Sequence, residues 1–109
     1  MMRLTMSRTA AALLRALLAR ADAPPGALRL VAYQATEWRA LTLDGERHMY
    51  QLSLDGCADP AIAARLLESL DEHEFDLGAS FVADIIGKRG NHSPGESTPL
   101  FIEALTILA

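Results

Sequence analysis

Thr36-Glu37-Trp38-Arg39-Ala40-Leu41-Thr42-Leu43-Asp44-Gly45-Glu46-Arg47-His48-Met49-Tyr50-Gln51-Leu52-Ser53-Leu54 is the stretch that decides the fold. Its second half alternates, with His48, Tyr50, Leu52 and Leu54 on one side and Met49, Gln51 and Ser53 on the other. Successive side chains of an extended chain point to opposite faces, so this period of two predicts a half-buried strand. Asp44-Gly45 just ahead of it is a tight-turn signal, because both residue types tolerate positive φ. The stretch therefore predicts a turn feeding a strand of an antiparallel sheet. Residues 35–45 admit two geometries, a long tight hairpin or a mobile loop. The alternation of Leu41-Thr42-Leu43 favours the hairpin arm.

Upstream, residues 27–34 predict a first strand, with Leu28, Leu30 and Ala32 on one face and Arg29, Val31 and Tyr33 on the other. Asp22-Ala23-Pro24-Pro25-Gly26 separates it from an amphipathic helix over 9–21, since proline cannot continue a helix and disfavours helical geometry in the residue before it. Leu13, Leu14, Leu17, Leu18 and Ala21 form the apolar stripe, while Arg8, Arg15 and Arg20 fall off it. Ser7 or Thr9 is placed to accept from the free amides of the first turn. The same segment loosely mimics a signal peptide, with basic Met1-Met2-Arg3 and Ala21-Asp22-Ala23 at its ends. Arg15 in the middle of the would-be apolar core argues against that reading.

Downstream, Asp55-Gly56 closes the strand and Asp59-Pro60 opens a second helix over 60–71, aspartate at the cap and proline at the first turn. Ile62, Ala63, Leu66, Leu67 and Leu70 make its stripe. Strands over 80–87 and 99–108 follow, separated by a Gly-, Ser-, Pro- and Asn-rich loop over 88–98. The order is αββαββ within one domain spanning 1–109. Two helices with single apolar stripes need a sheet face to cover, so the fold class is α+β: a four-stranded, mainly antiparallel sheet with both helices on one face. The opposite face carries Val82, Ile86 and other apolar residues that nothing in the chain covers, which points to a partner.

The formal net charge of −4 and the single adjacent basic pair, Lys88-Arg89, argue against a surface that grips nucleic acid by neutralising phosphates. No run approaches the ~18 apolar residues that span a bilayer. The lone Cys57 forms no internal disulfide and fits a reducing compartment. Asp71-Glu72-His73-Glu74-Phe75-Asp76 gathers carboxylates and an imidazole, yet matches no metal-binding spacing and is read as a solvated helix end. His48, His73 and His92 are scattered and lack cysteine companions, which disfavours zinc. Gly87-Lys88-Arg89-Gly90 fails the phosphate-loop spacing, and Asn91-His92-Ser93 is a sequon without a secretory signal. No Ser or Cys stands in an activating context. The expectation is a chain without catalytic activity, cofactor or metal. Trp38, flanked by Glu37 and Arg39, is equally placed for core or interface, tryptophan being both a core filler and a frequent interface anchor.

Glu37-Trp38, then Gly45-Glu46-Arg47-His48 opening an alternating strand, then a helix over 60–71, Phe81-Val82-Ala83-Asp84-Ile85, an arginine-bearing loop and a last strand ending Leu105-Thr106-Ile107 resemble the tail-terminator (tail-completion) proteins of long-tailed phages and gene transfer agents. Arg39-Ala40-Leu41-Thr42 stands where relatives often carry a Ser-Thr-Lys-Thr-like run. The resemblance covers about residues 27–108. It implies an α+β subunit of a homo-hexameric ring that caps the tail tube, docks to a head-side connector or stopper protein and lets DNA pass through its lumen without chemistry. It implies assembly in the bacterial cytoplasm, residence in the neck of a phage or phage-like particle, and no membrane partner. The candidate interface residues are Trp38, Arg39, Asp44, Gly45, Glu46 and Arg47 of the charged hairpin, with Lys88 and Arg89. A head-side connector or neck protein of similar fold and a small αββαββ enzyme are the rival readings.

Overall fold

A computed structural model describes residues 6–108, so Met1-Met2-Arg3 of the signal-peptide reading lies outside the described residues. The element order is α1 (Arg8–Ala21), β1 (Leu28–Ala40), β2 (Leu43–Leu54), α2 (Ala61–Leu67), a 3-10 turn (Leu70–Glu72), β3 (Ser80–Arg89) and β4 (Thr98–Leu108). The four strands form one antiparallel sheet in the order β1-β2-β4-β3, and the fold is α+β.

Helix α1 starts where Ser7 Oγ accepts from the amide of Ala10 at 3.1 Å. That bond satisfies one of the donors every helix start leaves free. The helix ends at Asp22, which turns into left-handed geometry ahead of Pro24-Pro25. Ala10, Leu13, Leu17 and Ala21 are buried. Leu14 and Leu18 flank this stripe half-buried, so the buried face is narrower and begins one turn earlier than the leucine pattern indicates. Two arginines tie the helices together reciprocally. Arg65 of α2 donates to the carbonyls of Ala21 and Asp22 at 2.9 and 3.2 Å, and Arg20 of α1 donates to the carbonyl of Leu66 at 3.0 Å. Cations at carboxyl ends of helices meet both unfilled carbonyl acceptors and the negative end of the dipole.

The second helix is shorter than the predicted 60–71. Asp59, one residue ahead of the Pro60 cap, accepts from the amide of Ala61 at 2.9 Å, but Glu68 is extended and Ser69 has φ +51. The break lets Leu70 drop into the core, where Leu67 and Leu70 lie over Gly87 of β3. A Cβ at Gly87 would clash with Leu67 Cδ2 and press on Leu70 Cδ2.

Two bulges correct the predicted strand faces. Between Leu30 and Ala32 the register slips, so Tyr33 pairs with Tyr50 on the helix side while Ala32, opposite Gln51, does not. Between Val82 and Asp84 a second slip places Val82 against the core, not on the open face as the sequence reading had it; Ile86 does lie on the open face. A bulge inserts one residue and reverses the phase of everything beyond it, which strict alternation cannot reveal.

The hairpin geometry is settled in favour of long arms, with the turn displaced from its predicted place. Ala40 pairs with Leu43, leaving Leu41-Thr42 as a two-residue turn with φ +55 at Leu41. Asp44 and Gly45 lie inside β2, opposite Arg39 and Trp38. Gly45 is needed there for space, since a Cβ would overlap the carbonyl oxygen of Thr106 on β4. Lys88 and Arg89, assigned to a loop by composition, are the last two residues of β3.

Candidate functional site on the open face of the sheet

The helices cover one face of the sheet, where Leu13, Leu17, Tyr50, Leu52, Ile62, Leu66, Leu100 and Ile102 are sealed from solvent. The register puts four rows of side chains on the other face. These are Trp38–Gly45–Ile107–Phe81, Thr36–Arg47–Leu105–Asp84, Gln34–Met49–Glu103–Ile86 and Ala32–Gln51–Phe101–Lys88. Among the described residues no element crosses them. Met49 is 51% exposed, Phe81 and Ile86 49% each, and Phe101 42%. A groove of about 400 Å³ runs between Met49, Ile86 and Phe101, with Lys88, Glu103 and Gln51 at its rim. Large apolar side chains gathered this way, edged by polar groups, are the usual surface of a protein contact.

The eight residues expected at an interface divide between the two sides of the sheet. Trp38, Gly45, Arg47 and Lys88 belong to the open face, while Arg39, Asp44, Glu46 and Arg89 alternate to the helix side. Trp38 is half-buried in the row of Gly45 and Ile107, at the edge of the uncovered surface and away from the helix-covered core. Arg39 pairs with Asp44 at 3.2 Å and Arg47 with Glu103 at 3.9 Å; both pairs are solvent-exposed and so contribute little to folding. Arg89 is exposed at the far end of β3 from the hairpin tip. The loop over 90–97 is exposed and held at its ends: the Gly90 amide donates to the Pro99 carbonyl at 2.7 Å, and Gly56 packs so closely on Gly95 that a Cβ there would clash.

Sequence reasoning missed one polar arrangement, on the covered side. His48 is completely buried. Its Nε2 lies 2.8 Å from Thr106 Oγ1, and the Thr106 hydroxyl donates on to the Glu46 carbonyl at a long 3.5 Å. Its Nδ1 lies 3.0 Å from the Tyr33 hydroxyl oxygen. With the Thr106 proton spent on Glu46, a neutral imidazole protonated at Nε2 completes the chain, Nε2 donating to Thr106 and Nδ1 accepting from Tyr33. Burial lowers the His48 pKa below its ordinary value, against a smaller upward pull from Glu46. Burial and the same carboxylate push the Tyr33 hydroxyl up to about 12. Burial, then Tyr33 and Glu46, raise Tyr50, whose hydroxyl donates to the Ala10 carbonyl at 2.8 Å. Glu46 accepts from Ser7 Oγ at 2.7 Å, so the residue that caps α1 also holds it to β2. Both ring nitrogens of His48 are engaged and the ring is sealed, leaving none for a molecule arriving from solvent. Its place in phase with Tyr50, Leu52 and Leu54 was the available signal; the Tyr33 contact depends on a bulge.

The acidic stretch 71–76 turns outward, and His73 packs edge-on against Phe75 while its Nδ1 lies 3.1 Å from Arg20 Nη1. Among the described residues no group of three or more His, Cys, Asp or Glu side chains is placed to hold a metal ion, and no helix is long and apolar enough to cross a membrane. Cys57 is exposed and free. Comparison of the chain with family models, with curated proteins and with solved structures finds no match.

Proposed function

We propose that this chain is a structural subunit that works by assembling with copies of itself, as a ring-forming tail terminator of a phage or phage-like particle. The observation that carries the assembly reading is the uncovered sheet face, where Met49, Phe81, Ile86 and Phe101 are each about half exposed. Leaving that much apolar area in water is unfavourable at ~25 cal/mol per Å², and association removes it. The tail-terminator assignment rests on the residues that resemble that family, Glu37-Trp38 and Gly45-Glu46-Arg47-His48 above all. In this reading the ring caps the tail tube, meets a head-side connector or stopper protein and passes DNA through its lumen. Its acidic balance would let the duplex slide, since like charge does not hold phosphates by counterion release.

The test is a mass measurement across concentration, with tail-tube protein, with portal-side protein and with neither. A closed oligomer that binds tail-tube subunits is the expected result. A chain that stays monomeric alone and with both partners refutes the reading, while binding only to portal-side subunits makes it a connector. In the assembled ring, Trp38→Ala should weaken subunit association by ~2 kcal/mol if this side chain anchors the contact. Unchanged association would return Trp38 to a role within its own subunit.

A further inference from the structure

The tip of the β1–β2 hairpin carries a residue that its own backbone does not favour. Leu41 is the first residue of a two-residue turn, has φ +55 and exposes its whole side chain. Left-handed backbone in such turns is ordinarily given to Gly, Asn or Asp, because a bulky side chain crowds the neighbouring carbonyl. Leucine here costs the turn geometry, and among the described residues nothing buries its side chain to offset that. A strained, exposed apolar residue at a projecting tip is an observation that calls for a binding partner.

The groove between Met49, Ile86 and Phe101 is the matching feature on the same molecule. It lies eight to ten residues along β2 from the tip, about 26–34 Å at the rise of a strand, so a subunit cannot fill its own groove. The charges match as well. Lys88 stands at the groove rim and Glu37 on the hairpin arm, and among the described residues neither belongs to an ion pair.

We propose that the occupant of the groove is a second copy of this chain: the hairpin tip of one subunit seats Leu41 among Met49, Ile86 and Phe101 of the next, with Glu37 brought toward Lys88. This rests on the reading that the chain self-assembles and adds which two surfaces meet. Knob and groove are different patches, so a single contact made head-to-tail leaves one subunit a free groove and the other a free knob. Repeated in one direction, such a contact closes a ring; exchanged reciprocally between two subunits, it would stop at a dimer, and the mass of the parent assembly tells the two apart.

Two variants and their mixture test it. Leu41→Gly removes the knob while relieving the turn, so its thermal stability should equal or exceed that of the parent. Phe101→Asp spoils the groove at a half-exposed position. Each variant alone should need at least ~10-fold higher concentration to assemble than the parent, the usual scale for loss of a contact anchor. A one-to-one mixture should form dimers, because the intact tip of Phe101→Asp enters the intact groove of Leu41→Gly and the chain then ends. Assembly of Leu41→Gly at the parent's concentration overturns the knob while leaving self-assembly standing. So does a mixture that stays monomeric when both single variants are folded monomers. A parent chain that is monomeric at every concentration overturns the self-assembly reading and this inference with it.

Discussion

The two faces of the sheet are built from the same strands by opposite rules. On the helix side apolar side chains are sealed and every polar group reaching inward is matched, from Tyr33 through His48 to Thr106. Among the described residues no buried side-chain nitrogen or oxygen lacks a hydrogen-bond partner. On the other side Met49, Ile86 and Phe101 stand half in water, interleaved with Arg47, Glu103 and Lys88. The first face carries the fold; the second contributes little to it and is available for something else. The open face is not uniform, however. At its hairpin end Gly45 brings β4 close, and Ile107, in the same row as Trp38, is only 4% exposed.

The sharpest way to break this comparison is to truncate one residue on each face. Leu17→Ala, in the sealed layer, should lower the unfolding free energy by ~2–5 kcal/mol, transfer and cavity terms together. Phe101→Ala, opposite Gln51 on the open face, should lower it by less than ~1.5 kcal/mol, because much of that ring is already in water. Urea titration of both variants, in conditions where the chain is monomeric, measures the difference. Equal losses would mean that the open face is part of the core.

A smaller effect probes the tight corner. Gly45→Ala should cost ~1–3 kcal/mol, since the new methyl overlaps the Thr106 carbonyl in the centre of the sheet. If Gly45 served a turn, asparagine would be tolerated there; a close backbone approach rejects it too. Thermal melts of Gly45→Ala and Gly45→Asn that both match the parent would remove the packing argument.

The smallest expected effect is a dependence on pH from the covered face. His48 is held neutral, with its pKa below the unfolded value of ~6.5. The unfolded chain therefore takes up a proton first as the solution is acidified. The stability from this group is fully present above ~6.5 and is lost as pH falls through the unfolded pKa toward the folded one, by at most ~1.4 kcal/mol per pH unit. Melts of the parent and of His48→Gln between pH 8 and 5 isolate this contribution, because the carboxylates are common to both. Parallel curves would show that His48 protonates equally in both states.

Much of this was legible in the chain. The alternation from His48 to Leu54 grouped those four residues on one side of the strand, and that side is the covered one. Asp22-Ala23-Pro24-Pro25 ended α1, and Asp59-Pro60 opened α2. The candidate site was legible only in part. Ile86 was read correctly, but the eight interface candidates came from neighbouring sequence positions, and neighbours in a strand point to opposite faces.

What the sequence determined by itself is the type and order of the elements and the inward phase of the unbroken ones. Helical and strand periodicity, caps and prolines act within one segment and need no partner. The remaining features depend on a neighbouring strand or helix. The bulges at Val31 and Ala83 set the phase of Tyr33 and Val82. Leu70 found its place because Gly87 left room for it. The hairpin turned at Leu41-Thr42 and not at Asp44-Gly45, because Gly45 was already committed to the approach of β4. A glycine reads the same in sequence whether it frees a backbone angle or makes room for another chain segment, and only the packed neighbour tells the two apart.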